Sequence, residues 1–178
     1  MIRQIGKFEI SAVQKSDAWK LCDFIVANAD RLKLFFPKTL EQNLNPTLSQ
    51  YFVKKKIAQF NNKEEFLFTL KHFETRKIAG LIYIKELDWE KKQGEFAYCI
   101  GYPFERQGLT SKAIKELSNH AFKVLELETL QIVVHKTNIA SLKVAENNCF
   151  KWIKTLKKEF TPTNEAPIDM ELYELYKQ

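Results

Sequence analysis

The junction around Gly108 constrains this chain more than any other feature. A strand-like run, Glu95 to Tyr102, comes first. A tight glycine-bearing loop, Glu105-Arg106-Gln107-Gly108-Leu109-Thr110, follows it, and an amphipathic segment from Ser111 to Leu125 comes directly after. This order reads as strand, loop and helix N-terminus. The first turn of a helix carries backbone N–H groups without intrahelical partners, at the positive end of the dipole. A phosphate placed there meets donors already in position. Glycine at 108 lets backbone approach an anion with no Cβ in the way. The loop is neither a P-loop, which needs Gly-x4-Gly-Lys-Ser/Thr, nor a three-glycine dinucleotide fingerprint. A single glycine before a helix is often only a turn. With the pattern described next, it points to a pyrophosphate-bearing ligand.

The second pattern is Asn138-Ile139-Ala140-Ser141-Leu142-Lys143-Val144-Ala145-Glu146-Asn147-Asn148-Cys149-Phe150, placed after the apolar run Leu130 to His135. Together the two segments resemble the GNAT superfamily of acetyl-CoA-dependent N-acetyltransferases, and within it the ribosomal-protein N-terminal acetyltransferases. In that branch a strand of the type Glu-x-Gly-Tyr-x-Ile leads straight into the phosphate loop; here it reads Glu95-Phe96-Ala97-Tyr98-Cys99-Ile100. The later pattern, Asn-x-x-Ser-x-x-Val-x-Glu-x-x-Gly-Phe, is matched at Asn138, Ser141, Val144, Glu146 and Phe150. The resemblance spans residues 7–176. Two departures stand out. The family loop begins with Gln or Arg and ends with Gly or Ala, whereas here Glu105 and Thr110 hold those places. Glu105 brings a negative charge toward the expected pyrophosphate, so its side chain must point elsewhere. Cys149 stands where the family has glycine, at a helix C-terminus that glycine adopts more cheaply.

Composition narrows the alternatives. A chain of 178 residues suits one domain, here 1–178, and 45% hydrophobic content supports a substantial core. No apolar run reaches the length of a membrane span, and Met1 to Lys7 lacks the apolar region of a signal peptide. A cytoplasmic protein with no membrane partner is expected. Cys22, Cys99 and Cys149 are too scattered for a disulfide framework or a zinc site, so no metal is expected. Cys99 draws notice because it lies on the strand beside the implied thioester. The formal charge is +6, but the basic runs are short, as in Lys54-Lys55-Lys56. No aromatic–basic RNA-binding motif accompanies them, which disfavours nucleic acid. A mild positive field would assist capture of coenzyme A, a polyanion.

Along the chain, Phe8 to Val13 reads as a strand, and Ser16/Asp17 as the cap of a helix through Trp19, Leu21, Phe24 and Ile25. Residues 28–45 are mixed and broken by Pro37. Pro46 opens another helix. Phe66 to Phe73 and Lys77 to Leu87 alternate as a hairpin. Ile132-Val133-Val134 has no polar interruption, as in a strand covered on both faces. A short helix capped by Asn138 follows, and Phe150 to Phe160 with Ile168 to Tyr176 closes the chain as a hairpin. The order is β-α-α-β-β-β-α-β-α-β-β. This α/β arrangement matches the fold implied by the resemblance. That fold is a mixed, mostly antiparallel seven-stranded sheet flanked by about four helices. Its fourth and fifth strands are parallel and splay apart to admit pantetheine.

The resemblance also implies roles. Backbone groups of Ile100, Gly101 and Tyr102 would pair with pantetheine like an added strand, and backbone of Arg106, Gln107, Gly108, Leu109, Thr110 and Ser111 would hold the pyrophosphate. Arg106 adds a possible salt bridge or is simply a solvated arginine. Asn138 contacts the coenzyme or serves only as the helix cap. Ser141 stands where this branch places the proton donor to the departing thiolate, although a serine hydroxyl is an ineffective acid by itself. The tyrosine used elsewhere in the superfamily is absent from residues 138–144. Glu95 is the candidate base, acting through water, with a pKa raised by a partly buried cleft. Its bland counterpart is a strand carboxylate paired with a lysine. His135 is an alternative base. The expected activity moves the acetyl group of acetyl-CoA to a primary amine: the α-amine of a protein N-terminus, such as that of a ribosomal protein, or the amine of an antibiotic or polyamine. A non-catalytic coenzyme-binding module is the other reading, and the chain is expected to act as monomer or homodimer.

Overall fold

The computed structural model describes residues 2–163 and 165–178. The strands are β1 (Arg3–Ile5), β2 (Phe8–Ala12), β3 (Phe66–His72), β4 (Ile78–Asp88), β5 (Gln93–Ile100), β6 (Thr129–Val134), β7 (Lys151–Phe160) and β8 (Ile168–Tyr176). The helices are α1 (Ala18–Ala27), α2 (Ala29–Phe35), α3 (Pro37–Glu41), α4 (Pro46–Asn61), α5 (Leu109–Lys123) and α6 (Ile139–Asn147). The strands form one sheet in the order β1-β2-β3-β4-β5-β6-β8-β7. The described sheet thus has eight strands rather than the expected seven, and six helices stand where about four were expected.

The extra elements have local causes. β1 pairs antiparallel with β2 across Gly6-Lys7, closing at Ile5–Phe8. Gly6 has φ +57°, the left-handed value that a two-residue hairpin of the II′ kind demands at its first loop position. β1 is short and mostly exposed, so it has no hydrophobic alternation to announce it. The extra helices lie in residues 28–45. Pro37 cannot continue α2, because it has no N–H, but its fixed φ suits the first turn of α3.

Residues 1–83 and 98–109 make one compact unit. Here β2 pairs with β3 from Phe8–His72 to Ala12–Phe68. Helix α1 buries Leu21, Cys22, Phe24 and Ile25, the three- and four-residue spacing of a helix with one apolar stripe. Asn45 caps α4, its Oδ1 accepting from the Leu48 N–H at 3.0 Å. Asp17 stands at the N-cap position of α1, as expected, but its side chain makes no cap hydrogen bond there. Its carboxylate oxygens each lie 3.0 Å from Nζ of Lys71, a β3 residue with no exposed surface. A buried ammonium needs a counter-charge more than α1 needs a cap.

Residues 84–97 and 110–178 make the second unit. Helix α5 buries Ala113, Ile114, Leu117 and Ala121. The parallel ladder between β5 and β6 runs from Gln93–Thr129 to Phe96–Ile132, and β6 pairs antiparallel with β8 on its other side. β6 is not covered equally on both faces as its Ile-Val-Val run implied. Leu130, Ile132 and Val134 are buried, whereas Gln131 and Val133 are partly exposed. On that second face a polar chain crosses three strands. Gln93 Nε2 donates to Gln131 Oε1 at 3.0 Å, and Gln131 Nε2 donates to Glu174 Oε1 at 2.6 Å.

Candidate active site

The strand end and loop come first. β5 ends at Ile100, and Gly101 follows with little room around it: an added Cβ would lie 3.2 Å from the Phe24 ring and 3.4 Å from Asn28 Nδ2. Asn28 is buried and ties this corner together. Its Nδ2 donates to the Phe24 carbonyl at 2.7 Å, and its Oδ1 accepts from the Tyr102 N–H at 3.2 Å. The Gly101 N–H donates to the Ala79 carbonyl at 2.8 Å, and Arg31 Nη1 donates to the Ile100 carbonyl at 3.0 Å. Of the backbone groups expected to pair with pantetheine, the N–H groups of Gly101 and Tyr102 are therefore already engaged within the protein. Carbonyl lone pairs remain for a ligand, because a carbonyl oxygen accepts twice. Neither Asn28 nor Arg31 was singled out in the sequence. Both sit in the proline-broken stretch that carries no recognisable motif.

The loop then turns into α5 through two left-handed residues, Arg106 (φ +58°) and Gly108 (φ +69°). Such a conformation is uncommon for a residue with a Cβ, and local strain of this kind gathers at functional loops. Alternation of backbone hand lets neighbouring N–H groups converge on an anion. A Cβ at Gly108 would meet no atom of the protein within 4 Å. The glycine is required here by its φ, not by crowding within the chain. Arg106, Gln107 and Gly108 are exposed, whereas Leu109 buries its side chain at the start of α5. Gln107 folds its side chain back, Nε2 donating to the Pro103 carbonyl at 2.9 Å. The site thus offers what a pyrophosphate needs: an exposed loop backbone, a cation at Arg106 and a helix N-terminus. Glu105, the awkward departure, is ion-paired with Arg31.

In the second unit, Thr110 and Ser111 continue the first turn of α5, both partly exposed. Ser111 Oγ accepts from Asn148 Nδ2 at 3.0 Å, and the same amide donates to the Val144 carbonyl at 2.8 Å. Because Ser111 Oγ accepts there, its own proton is free to donate elsewhere. Asn148 was read only as part of the later pattern; no sequence signal showed that it would reach Ser111. Asn138 caps α6, its Oδ1 accepting from the Ser141 N–H at 3.2 Å. Ser141 therefore lies in the first turn of α6 and is partly exposed. Helix α6 ends as the Cys149 departure requires: the Cys149 N–H bonds the Glu146 carbonyl at 3.0 Å and the Phe150 N–H bonds the Ala145 carbonyl at 3.0 Å. This is a Schellman end, and Cys149 takes φ +63° to make it.

Three titratable groups lie on β5 or just beyond β6. Glu95 lies on β5 with Lys85 Nζ 2.8 Å from its Oε1, and its side chain is 16% exposed. Burial raises its pKa above the ordinary carboxylate value, while Lys85 pulls the other way without cancelling the effect. The carboxylate is thus paired with a lysine and is also set in a place that favours its neutral form. His135 lies just beyond β6, and its Nδ1 is engaged by Thr137 at 2.8 Å in a local turn. The Cys99 residue is partly accessible, but burial of its thiol pushes the pKa up to about 12. At neutral pH it is a neutral thiol and a poor nucleophile.

The comparisons with known proteins fit this geometry. Residues 7–151 match the acetyltransferase (GNAT) domain family. YdaF of Bacillus subtilis (strain 168), named as a candidate ribosomal N-acetyltransferase, is 27% identical over 142 residues, 77% of this chain and 74% of its own length. Among solved structures, the ribosomal-protein-S5-alanine acetyltransferase from Vibrio fischeri superposes with a TM-score of 0.90 at 18% identity, covering 98% of this chain and 95% of that one. RimL, a ribosomal L7/L12 α-N-protein acetyltransferase in complex with coenzyme A, gives a TM-score of 0.88 at 19% identity, covering 98% and 97%. The likeness to these structures is one of fold. The family match reaches from β2 to the start of β7, across the phosphate loop and the Asn138–Phe150 pattern. The chain belongs to the GNAT acetyltransferases and is an acetyl-CoA-dependent N-acetyltransferase.

Proposed function

We propose that residues 1–178 form one catalytic domain that transfers the acetyl group of acetyl-CoA to the α-amine of a protein or peptide N-terminus. The observation that supports this reading is the strand–loop–helix at Ile100 to Ser111, with Arg106 and Gly108 in left-handed backbone before α5. In this reading the backbone of Arg106 to Ser111 holds the pyrophosphate, and the strand end at Ile100, Gly101 and Tyr102 receives pantetheine through its carbonyls. Glu95 is the base, acting through water on the incoming ammonium. Ser141 supplies a proton to the thiolate, directly or through water, while Asn138 holds the α6 turn that carries it. The protein works in the cytoplasm, as monomer or homodimer, and needs no metal. No group of His, Cys, Asp and Glu residues suited to a metal occurs among the described residues. No described helix is long and apolar enough to cross a membrane.

The choice of acceptor rests on proton chemistry together with the branch resemblance. An α-amine has a pKa near 8, so a useful fraction is neutral at pH 7. A lysine ammonium is about two units harder to deprotonate, roughly 2.7 kcal/mol. A carboxylate that works through water and is held by Lys85 is a weak base, and it suits the easier amine. The test is acetyl transfer to peptides with free or blocked N-termini, beside spermidine and an aminoglycoside. Turnover confined to free N-termini supports the reading. Robust turnover of a polyamine, with none on any free N-terminus, overturns the acceptor and leaves the reaction class standing.

A further inference from the structure

Arg31 makes three contacts around the head of the phosphate loop. Its Nη1 donates to the Ile100 carbonyl at 3.0 Å, its Nη2 pairs with the Glu105 carboxylate, and its guanidinium lies 4.6 Å from the centre of the Tyr102 ring. One planar group thus spans the end of β5, the turn at Tyr102–Phe104 and the first loop residue. A guanidinium suits this task because its donors form a fixed fork and its face stacks on an aromatic ring. The partner is the one acidic residue in the loop Glu105–Thr110. Next along the chain stand Arg106 and Gly108, the two left-handed residues that lead into α5.

We propose that Arg31 is a positioning residue for the phosphate loop: it anchors the Glu105 carboxylate to itself and away from the ligand, so that a loop headed by a carboxylate can accept a polyanion. The inference rests on the acetyl-CoA reading of this loop. Glu105 replaces an uncharged or basic residue of the family pattern, and without a counter-charge it would repel the pyrophosphate. The Arg31 pair is only partly exposed, with 29% of the arginine and 37% of the glutamate side chain open to solvent. It is therefore better protected from screening than an open surface pair. Its value lies in where it holds the Glu105 charge more than in stability.

The test is a double-mutant cycle read by calorimetric titration of coenzyme A. Arg31→Gln frees the Glu105 charge and should weaken binding about 5- to 10-fold. Glu105→Gln should bind as well as the parent or better. In the double variant the deficit should vanish, leaving affinity within about 2-fold of Glu105→Gln alone. A purely structural arginine would instead give the same loss in both backgrounds, because the Ile100 and Tyr102 contacts are lost in each. Arg31→Lys, which keeps the charge, should retain most of the affinity; Arg31→Met serves as the neutral variant, with the same expected deficit, if Arg31→Gln does not fold. An Arg31→Gln deficit unchanged by Glu105→Gln, or no deficit at all, overturns the proposal, as does an Arg31→Lys loss that Glu105→Gln leaves untouched. Failure of the parent protein to bind coenzyme A would instead overturn the reading of the loop, and the inference with it.

Discussion

If Glu95 is the base, Glu95→Gln should slow acetyl transfer at neutral pH while acetyl-CoA affinity stays nearly constant. General bases contribute about 10²–10⁴-fold, or roughly 2.7–5.4 kcal/mol of barrier. The structure places the expectation near the lower end, because Lys85 at 2.8 Å stabilises the carboxylate and so weakens it as a proton acceptor. The pH dependence carries a defined sign. The base must be ionised, and burial raises its pKa, so the acid limb of kcat/KM should fall at higher pH than an ordinary carboxylate would give. Lys85→Met removes the opposing cation and should move that limb to still higher pH. The acceptor amine also needs to lose a proton, so two limbs rise in the same direction. Peptides whose N-terminal residues differ in amine pKa separate them: the amine limb follows the peptide, and the Glu95 limb does not. Glu95→Gln should erase only the second. A structural ion pair would behave otherwise. Breaking it would act on stability and leave the rate and its pH profile nearly unchanged. That result would leave Glu95 as a structural partner of Lys85 and rule it out as the base.

Two further expectations concern stability. Cys149→Gly relieves a left-handed residue at the end of α6 and should stabilise the fold by about 1 kcal/mol, a rise in Tm of roughly 2–4 °C by differential scanning calorimetry; an unchanged or lowered Tm would contradict the strain argument. Asp17→Ala leaves the Lys71 ammonium buried without its counter-charge and should cost about 3–5 kcal/mol in urea unfolding; a loss below about 1 kcal/mol would contradict a structural role for the pair.

The sequence was most legible where a spacing encodes a local geometry. Gly108 between a strand and an amphipathic helix, and Asn138 three residues before Ser141, each specify a backbone arrangement. The structure contains both, as a left-handed turn and as a side-chain cap. The closing hairpin was equally plain, because the runs 150–160 and 168–176 are separated by a proline-bearing connection, and the strands observed are 151–160 and 168–176. Short elements without periodicity stayed hidden. β1 is three residues long and mostly exposed, and α2 and α3 are too brief for an apolar stripe. Long-range side-chain pairing was the other blind spot. Arg31 with Glu105, Lys71 with Asp17 and Asn148 with Ser111 join residues far apart in the chain, and no local pattern specifies which partner a buried or half-buried polar group will find. The departures at Glu105 and Cys149 were visible as oddities. Their resolutions, a counter-charge and a Schellman end, required the fold.

Gly108→Glu probes the proposed seat of the acetyl-CoA pyrophosphate, the backbone between Glu105 and Ser111. The side chain would meet no protein atom in its first position, but it would load a left-handed site and place a second carboxylate on an exposed loop. Calorimetric titration with acetyl-CoA should show a loss of at least about 10-fold, with thermal stability lowered by only about 1–2 kcal/mol. Affinity equal to that of the parent protein would contradict the placement and move the cofactor away from this loop.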